Sequence, residues 1–114
     1  MKLYKSNNRR YLYVMVYNNK KIYFGNPLEL NVNSSNDNRR TIYIRDDAVR
    51  EELITDFYCS CNHEELLYFN TVTSLEFYLL FNKKNLKSSV LDYQRRFGVH
   101  VKIIREFYLD PDLG

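Results

Sequence analysis

Residues 11–17 read YLYVMVY, an alternation of side-chain types that decides the fold of the N-terminal part of the chain. In an extended chain, successive side chains point to opposite faces. The even-numbered residues form an aliphatic face, which comprises Leu12, Val14 and Val16. The odd-numbered residues form a largely aromatic second face, which comprises Tyr11, Tyr13, Met15 and Tyr17. The stretch therefore predicts a β-strand with an aliphatic core face and tyrosines on the other side.

A hairpin and two further strands are predicted next to this strand. Residues 18–20 read NNK and supply turn residues, and residues 21–24 have the character of a returning strand. Residues 28–32 and 41–45 are also strand-like, and the polar stretch 33–38 between them is typical of a loop. This part of the chain predicts a small antiparallel β-meander.

Helical periodicity dominates the rest of the chain. The predicted elements are a helix from Asp46 or Asp47 to about Cys59, a strand over Leu66–Val72, a short helix from Thr73 or Ser74 to Phe81, a helix capped by Ser88 and ending at Phe97, and a closing strand over 99–104. Gly98 follows the longest of the later helices, where a left-handed residue is favoured. The apolar stripe of the first helix is expected to dock on the sheet.

These elements predict an α+β fold, in which the β-meander packs with about three helices and a C-terminal strand. We expect one domain over residues 1–114, with a β-rich half at 1–45 and a helical half at 46–114. A chain of 114 residues has the usual size of a single domain. Its hydrophobic content of 45% suffices for a core without disulfides or metals.

The cellular location is predicted from what the sequence lacks. The first ten residues have no apolar run in front of a cleavage site, and no stretch approaches the roughly 18 apolar residues of a membrane span. The two cysteines, Cys59 and Cys61, are too close for a good disulfide and fit a reducing compartment. We expect an intracellular protein, in the cytoplasm or nucleus, that does not bind membranes.

Catalytic and metal-binding motifs do not emerge from the sequence, so we expect no enzyme and no cofactor. Cys59, Cys61 and His63 would share one face of a strand, but this spacing departs from common zinc sites. The only available fourth ligands are Glu64, Glu65 and the distant His100. Ordinary buried thiols are the simpler interpretation. The carboxylates at 46, 47, 51 and 52 are typical of a solvated helix start, where the dipole favours acids.

Charge is distributed in opposing blocks, although the net charge is only +3. Residues 1–45 hold nine basic and two acidic residues. Residues 46–81 hold one basic and eight acidic residues, and residues 82–105 hold seven basic residues and one acidic residue. Two basic blocks therefore flank an acidic block. Basic clusters bind polyanions such as nucleic acids, because binding releases counterions. The alternative role of these basic residues is to keep the protein soluble and to pair with the acidic block.

Tyrosines and arginines combine in the first basic block. Tyr11, Tyr13 and Tyr43 are predicted on the non-aliphatic faces of neighbouring strands, with Arg9 and Arg10 close in sequence. Single-stranded nucleic acids bind such faces by stacking bases on rings while cations hold the phosphates. The alternative is that helices cover this face and the tyrosines belong to the core.

The second basic block lies in a pattern of strand, short helix, polar loop, longer helix, glycine and strand. It runs over Leu66–Val72, Leu75–Phe81, the loop Asn82-Lys83-Lys84-Asn85, Ser88–Phe97, Gly98 and Val99–Ile104. This order resembles the core of a KH domain over roughly the last 45 residues. The resemblance implies that the loop between the helices clamps a nucleic-acid backbone. The two glycines of the family's GxxG loop are replaced here by Asn82 and Asn85, and KH-like units without them often serve as protein-docking scaffolds.

The sequence therefore predicts non-catalytic binding of RNA or another single-stranded nucleic acid. The predicted phosphate contacts are Lys83, Lys84, Lys87, Arg95 and Arg96, with a second contact region at Arg9, Arg10, Tyr11, Tyr13 and Tyr43. The two basic blocks are expected to converge on one surface. The alternative hypothesis is a small viral or mobile-element factor that inhibits or recruits a protein through exposed tyrosines and arginines. A homodimer through the tyrosine-rich sheet is a further alternative.

Overall fold

The computed structural model describes residues 1–25 and 47–108, and it shows a mixed α+β architecture. The predicted strands at 28–32 and 41–45, the loop at 33–38 and Tyr43 lie outside the described residues. The described chain divides into two compact units: residues 1–25 and 100–108 form a sheet, and residues 47–99 form a helical unit. The prediction of one domain over residues 1–114 stays a prediction.

The sheet unit contains four strands in the order β3-β2-β1-β4. They are β1 (Lys2–Ser6), β2 (Tyr13–Tyr17), β3 (Lys20–Phe24) and β4 (Lys102–Tyr108). The first three form an antiparallel meander that includes two of the four predicted meander strands, and β4 pairs parallel with β1, so the sheet is mixed. The closing strand was thus correctly predicted to exist, although it begins at Lys102, while β1 was not predicted.

The β2–β3 hairpin forms as predicted, for a local reason. Asn18 and Asn19 both have positive φ, at 49° and 62°, which is the backbone of a type I′ turn. Asparagine adopts this left-handed conformation more readily than most residues. The turn sets the register that pairs Tyr17 with Lys20 and Tyr13 with Phe24.

Both faces of β2 are buried at the centre of the strand. Met15 is fully buried beside Leu3 of β1, and Val14, on the opposite face, is also fully buried. Tyr13 is stacked on Phe24 of β3, with ring centroids 5.8 Å apart. The predicted division into an aliphatic core face and an open aromatic face is therefore wrong at the centre of this strand.

The helical unit contains α1 (Asp47–Ser60), a 3₁₀ helix (Glu65–Leu67), α2 (Val72–Leu75), a π-helical segment that continues α2 (Glu76–Phe81), and α3 (Leu86–Phe97). The bounds of α1 agree with the prediction, but none of its residues is buried. Phe57 from its predicted apolar stripe packs on the π segment, against Phe77 and Phe81 at centroid distances of 5.9 and 5.3 Å.

The predicted strand over Leu66–Val72 is wrong, because polar side chains fold this stretch into short turns. Thr71 caps α2 by accepting a hydrogen bond from the backbone N–H of Ser74. The Thr71 and Ser74 hydroxyls both donate to the carbonyl of Glu65, each at 2.8 Å. Such side-chain bonds to the backbone compete with a strand ladder.

The start of α3 also differs from the prediction, whereas its end agrees. The capping residue is Asn85, whose Oδ1 accepts from the N–H of Ser88 at 2.8 Å, so the helix begins at Leu86. Gly98 ends it in the left-handed conformation, with φ of 66°. Two helices joined by a dibasic connector and followed by glycine match the predicted pattern, while the predicted strand before them is replaced by the end of a 3₁₀ helix, turns and the first residue of α2.

Candidate nucleic-acid interface

The carboxylate of Asp92 bridges the start of the connector and the last turn of α3. Asn82 Nδ2 donates to Asp92 Oδ2 at 2.6 Å, and Arg96 Nη2 lies 3.6 Å from the same oxygen. Asn82 begins the connector that carries Lys83, and Arg96 lies in the last turn of α3 beside Arg95. Among the predicted cations of this unit, Arg96 therefore contacts this carboxylate, and Lys83 follows its other partner, Asn82, in the chain.

Arg96 is held on a second side by an aromatic ring. Its guanidinium carbon lies 4.9 Å from the centroid of the Tyr78 ring. That ring contacts Phe97 and Phe77 edge-on, at 5.3 and 4.9 Å. The four residues Tyr78, Asn82, Asp92 and Arg96 are called the Asp92 cluster below. Although it has two partners in this cluster, the Arg96 side chain remains 51% exposed.

Three exposed cations lie in the sequence between residues of this cluster: Lys83, Lys87 and Arg95. They are called the cationic rim. None of them forms an ion pair with another residue in the part of the chain that the structure describes. Lys87 and Arg95 are eight residues apart on α3, so helical geometry places them on one side of the helix. Leu91, midway between them on that side, is also exposed.

Lys84 differs from the rim because it faces an acid. Its Nζ lies 3.8 Å from Asp47 Oδ1, and Arg50 Nη2 donates to the same oxygen at 2.7 Å. The hydrogen bond from Arg50, followed by the charge of Lys84, lowers the pKa of the Asp47 carboxyl. Pairing with the acidic block, the alternative role of the basic residues, is thus observed for Lys84.

The second predicted contact region is only partly accessible. Tyr13 is 3% exposed, so its ring cannot receive a base, and this part of the predicted site is corrected. Tyr11 precedes β2, is half-buried, and lies 5.6 Å from the ring of Tyr23. Arg9 and Arg10 are exposed in a turn, where the Asn8 side chain accepts from the Arg10 N–H at 2.9 Å.

Two lysines of the sheet unit were not predicted as site residues. Lys2 of β1 and Lys102 of β4 are both exposed and lie directly opposite each other in the parallel register. Like charges at such positions repel each other. The missed β1 strand explains the omission, because without it no neighbour could be assigned to Lys102. In the helical unit, the i, i+4 spacing of Asp92 and Arg96 was a readable signal for an ion pair.

The Cys59, Cys61 and His63 triplet lies at the end of α1 and not on a strand. The His63 ring stacks on Tyr58 at a centroid distance of 4.2 Å, and its Nε2 lies 2.6 Å from the Tyr58 carbonyl oxygen. Burial raises the pKa of the Cys61 thiol, which disfavours the thiolate. Among residues 1–25 and 47–108, no group of three or more His, Cys, Asp and Glu is placed to hold a metal ion.

Comparison with known proteins gives no relative. No family model, no curated protein and no solved structure matches the chain. The resemblance to KH domains therefore stays a prediction, and so does the absence of enzymatic activity. Within the described residues, the helices are too short or too polar to cross a bilayer.

Proposed function

We propose that the protein binds RNA or another single-stranded nucleic acid and catalyses no reaction on it. The observation that carries this proposal is the cationic rim, in which Lys83, Lys87 and Arg95 are exposed and have no acidic partner among the described residues. Cations without an acidic partner contribute most to the free energy of binding a polyanion, because each phosphate contact releases condensed counterions. Arg9 and Arg10 supply a second exposed cationic pair in the sheet unit.

A structural explanation accounts for part of this charge. Arg95 and Arg96 lie in the last turn of α3, where the helix dipole favours cations by about 0.3–1 kcal/mol each. This explanation also covers Lys83, which directly follows Asn82, the residue that caps the C-terminal end of the π segment. It does not extend to Lys87, which lies in the first turn of α3, where the dipole disfavours positive charge. A cation placed against the dipole supports a binding role for Lys87.

The salt dependence of binding tests the proposal, with two adjacent lysines as the matched pair. We expect Lys83→Gln to weaken binding to a single-stranded oligonucleotide and to reduce the slope of log affinity against log salt by about 0.7. Lys84→Gln changes the net charge by the same amount but removes a lysine that already faces Asp47, so its effect should be smaller. Fluorescence anisotropy at several salt concentrations measures both.

Equal affinities and equal slopes for wild type, Lys83→Gln and Lys84→Gln would remove the connector from the interface. No binding by the wild-type protein at low salt would overturn the proposed function itself.

The protein-interaction hypothesis also has an observation in its favour. Leu67, 73% exposed, lies close in the chain to exposed Tyr68 and Val72, and these three residues are called the apolar patch. The three are neighbours in the sequence, and contiguous exposed apolar side chains often mark protein-binding surfaces. A role as a protein inhibitor or adaptor is therefore our second candidate. A stoichiometric protein partner that co-purifies after nuclease treatment, and is lost in Leu67→Ser, would favour it.

A further inference from the structure

We propose that Arg96 is a stacking platform for an unpaired nucleobase, so that the helical unit contacts a base as well as the phosphates of its ligand. This inference rests on the proposed function and adds a base-binding site to it. The guanidinium plane of arginine stacks on nucleobases as well as on aromatic side chains. A residue that already has one aromatic partner can therefore bind a second flat group on its other side.

The contacts of Arg96 leave room for such a group. Tyr78 lies 4.9 Å from the guanidinium carbon, and Asp92 Oδ2 lies 3.6 Å from Nη2. With both contacts in place, 51% of the side chain remains exposed. A base that stacks on this exposed part would contact Arg96 while Tyr78 and Asp92 still hold the guanidinium group.

The platform is also held in place before any ligand binds. Asn82 donates to the same Asp92 oxygen, and this fixes the carboxylate that orients Arg96. The Tyr78 ring is packed edge-on against Phe97 and Phe77. A side chain fixed in this way loses less conformational entropy on binding than a free surface arginine does. Arg95, one residue earlier, has no such contacts within the described residues.

The neighbouring cations fit a strand whose base is turned toward Arg96. Arg95 and Arg96 are consecutive residues of α3, so their side chains leave the helix in directions about 100° apart. Arg95 lies on the exposed face with Lys87 and can reach a phosphate, while Arg96 lies closer to the packed face. In a duplex, bases are stacked on both sides and offer no free face except at the ends. The arrangement therefore selects unpaired bases.

The test compares two ligands that have the same backbone charge. One is an oligomer of about eight uridines, and the other is an abasic oligomer of equal length. Wild-type protein should bind the base-containing ligand about tenfold more tightly, since one stacked base contributes an affinity factor of this order. Fluorescence anisotropy at fixed salt measures both affinities, and quenching of 2-aminopurine in a matched oligomer reports stacking directly.

Two arginine-to-lysine variants then identify the residue. Arg96→Lys keeps the charge and loses the plane, so the preference for bases should fall to about twofold or less, while the salt slope stays unchanged. Arg95→Lys makes the same chemical change one residue away and should keep the preference. Thermal unfolding of both variants checks that the fold is retained.

The outcomes separate the two proposals. If wild-type protein binds both ligands equally and with a steep salt dependence, the base platform is overturned and the proposed function stands. If it binds neither ligand, the proposed function fails. If wild-type protein prefers bases and Arg96→Lys keeps that preference, the base site lies elsewhere and the assignment to Arg96 is wrong. The comparison with the abasic ligand needs no variant, so it tests the inference even if a variant is unstable.

Discussion

Arg95 and Arg96 are the same residue type in adjacent positions, and their surroundings give them different capacities. Arg96 contacts Asp92 and Tyr78, whereas Arg95 is exposed and forms no ion pair among the described residues. The sequence predicted both as phosphate contacts. The i, i+4 spacing of Asp92 and Arg96 can be read from the sequence. The contacts that Asn82 and Tyr78 make with these two residues depend on how the π segment packs on α3, and no local sequence pattern encodes that packing.

At the scale of single residues, Tyr93 gives a prediction for the stability of the helical unit. It is fully buried, and its hydroxyl donates to the carbonyl of Phe69. Tyr93→Phe removes this hydrogen bond and keeps the ring, so the free energy of unfolding should fall by about 1 kcal/mol at neutral pH. Urea denaturation followed by circular dichroism measures the change, and an unchanged midpoint would contradict the role given to the bond.

The same residue predicts a pH dependence with a definite sign. Burial raises the pKa of Tyr93 above its ordinary value of 10.0, so the folded state keeps its proton where the unfolded state loses it. This contribution to stability is complete below about pH 10 and is lost as the pH rises further. Wild-type protein should therefore lose more stability between about pH 8 and pH 11 than Tyr93→Phe does. Parallel losses would show that Tyr93 is not the group responsible.

At the scale of elements, the sequence predicts some that a strong turn signal decides, but it fails at β1 and at residues 66–72. The β2–β3 hairpin follows from Asn18 and Asn19, and the end of α3 follows from Gly98. Strand β1 was missed because its sequence, KLYKS, is mostly polar and its only fully buried hydrophobic residue is Leu3. Its strand conformation is stabilised by β2 and by β4, which is about a hundred residues away in the chain.

The start of α3 gives a prediction that separates two candidate caps. Both Asn85 and Ser88 are good capping residues, so sequence alone does not choose between them, and the predicted choice of Ser88 was wrong. Asn85→Ala should lower the free energy of unfolding by about 1 kcal/mol, because the N–H of Ser88 loses its acceptor. Ser88→Ala is the control and should have little effect, since only its backbone N–H takes part in the cap. A larger loss for Ser88→Ala would contradict the cap assignment.

At the scale of the whole molecule, the modest net charge of +3 conceals the feature on which the proposed function depends. The acidic block neutralises part of the basic blocks, as Asp47 does for Lys84, but the cationic rim has no such partner in the described chain. The predicted convergence of the two basic blocks stays a prediction. The N-terminal block belongs to the sheet unit, and Lys83 to Arg96 belong to the helical unit.

The two candidate functions use different surfaces, so reciprocal variants distinguish them in the intact protein. The rim variant carries Lys83→Gln, Lys87→Gln and Arg95→Gln, and the patch variant carries Leu67→Ser and Tyr68→Ser. Under the proposed function, the rim variant should elute from heparin at lower salt and recover less RNA from its native host, because it makes fewer phosphate contacts. The patch variant should match wild type in both assays, since it changes no charge. The opposite result has two parts: the patch variant loses a nuclease-resistant protein partner, and the rim variant still elutes from heparin at the wild-type salt concentration. Nucleic-acid binding is then rejected, and the apolar patch is the functional surface.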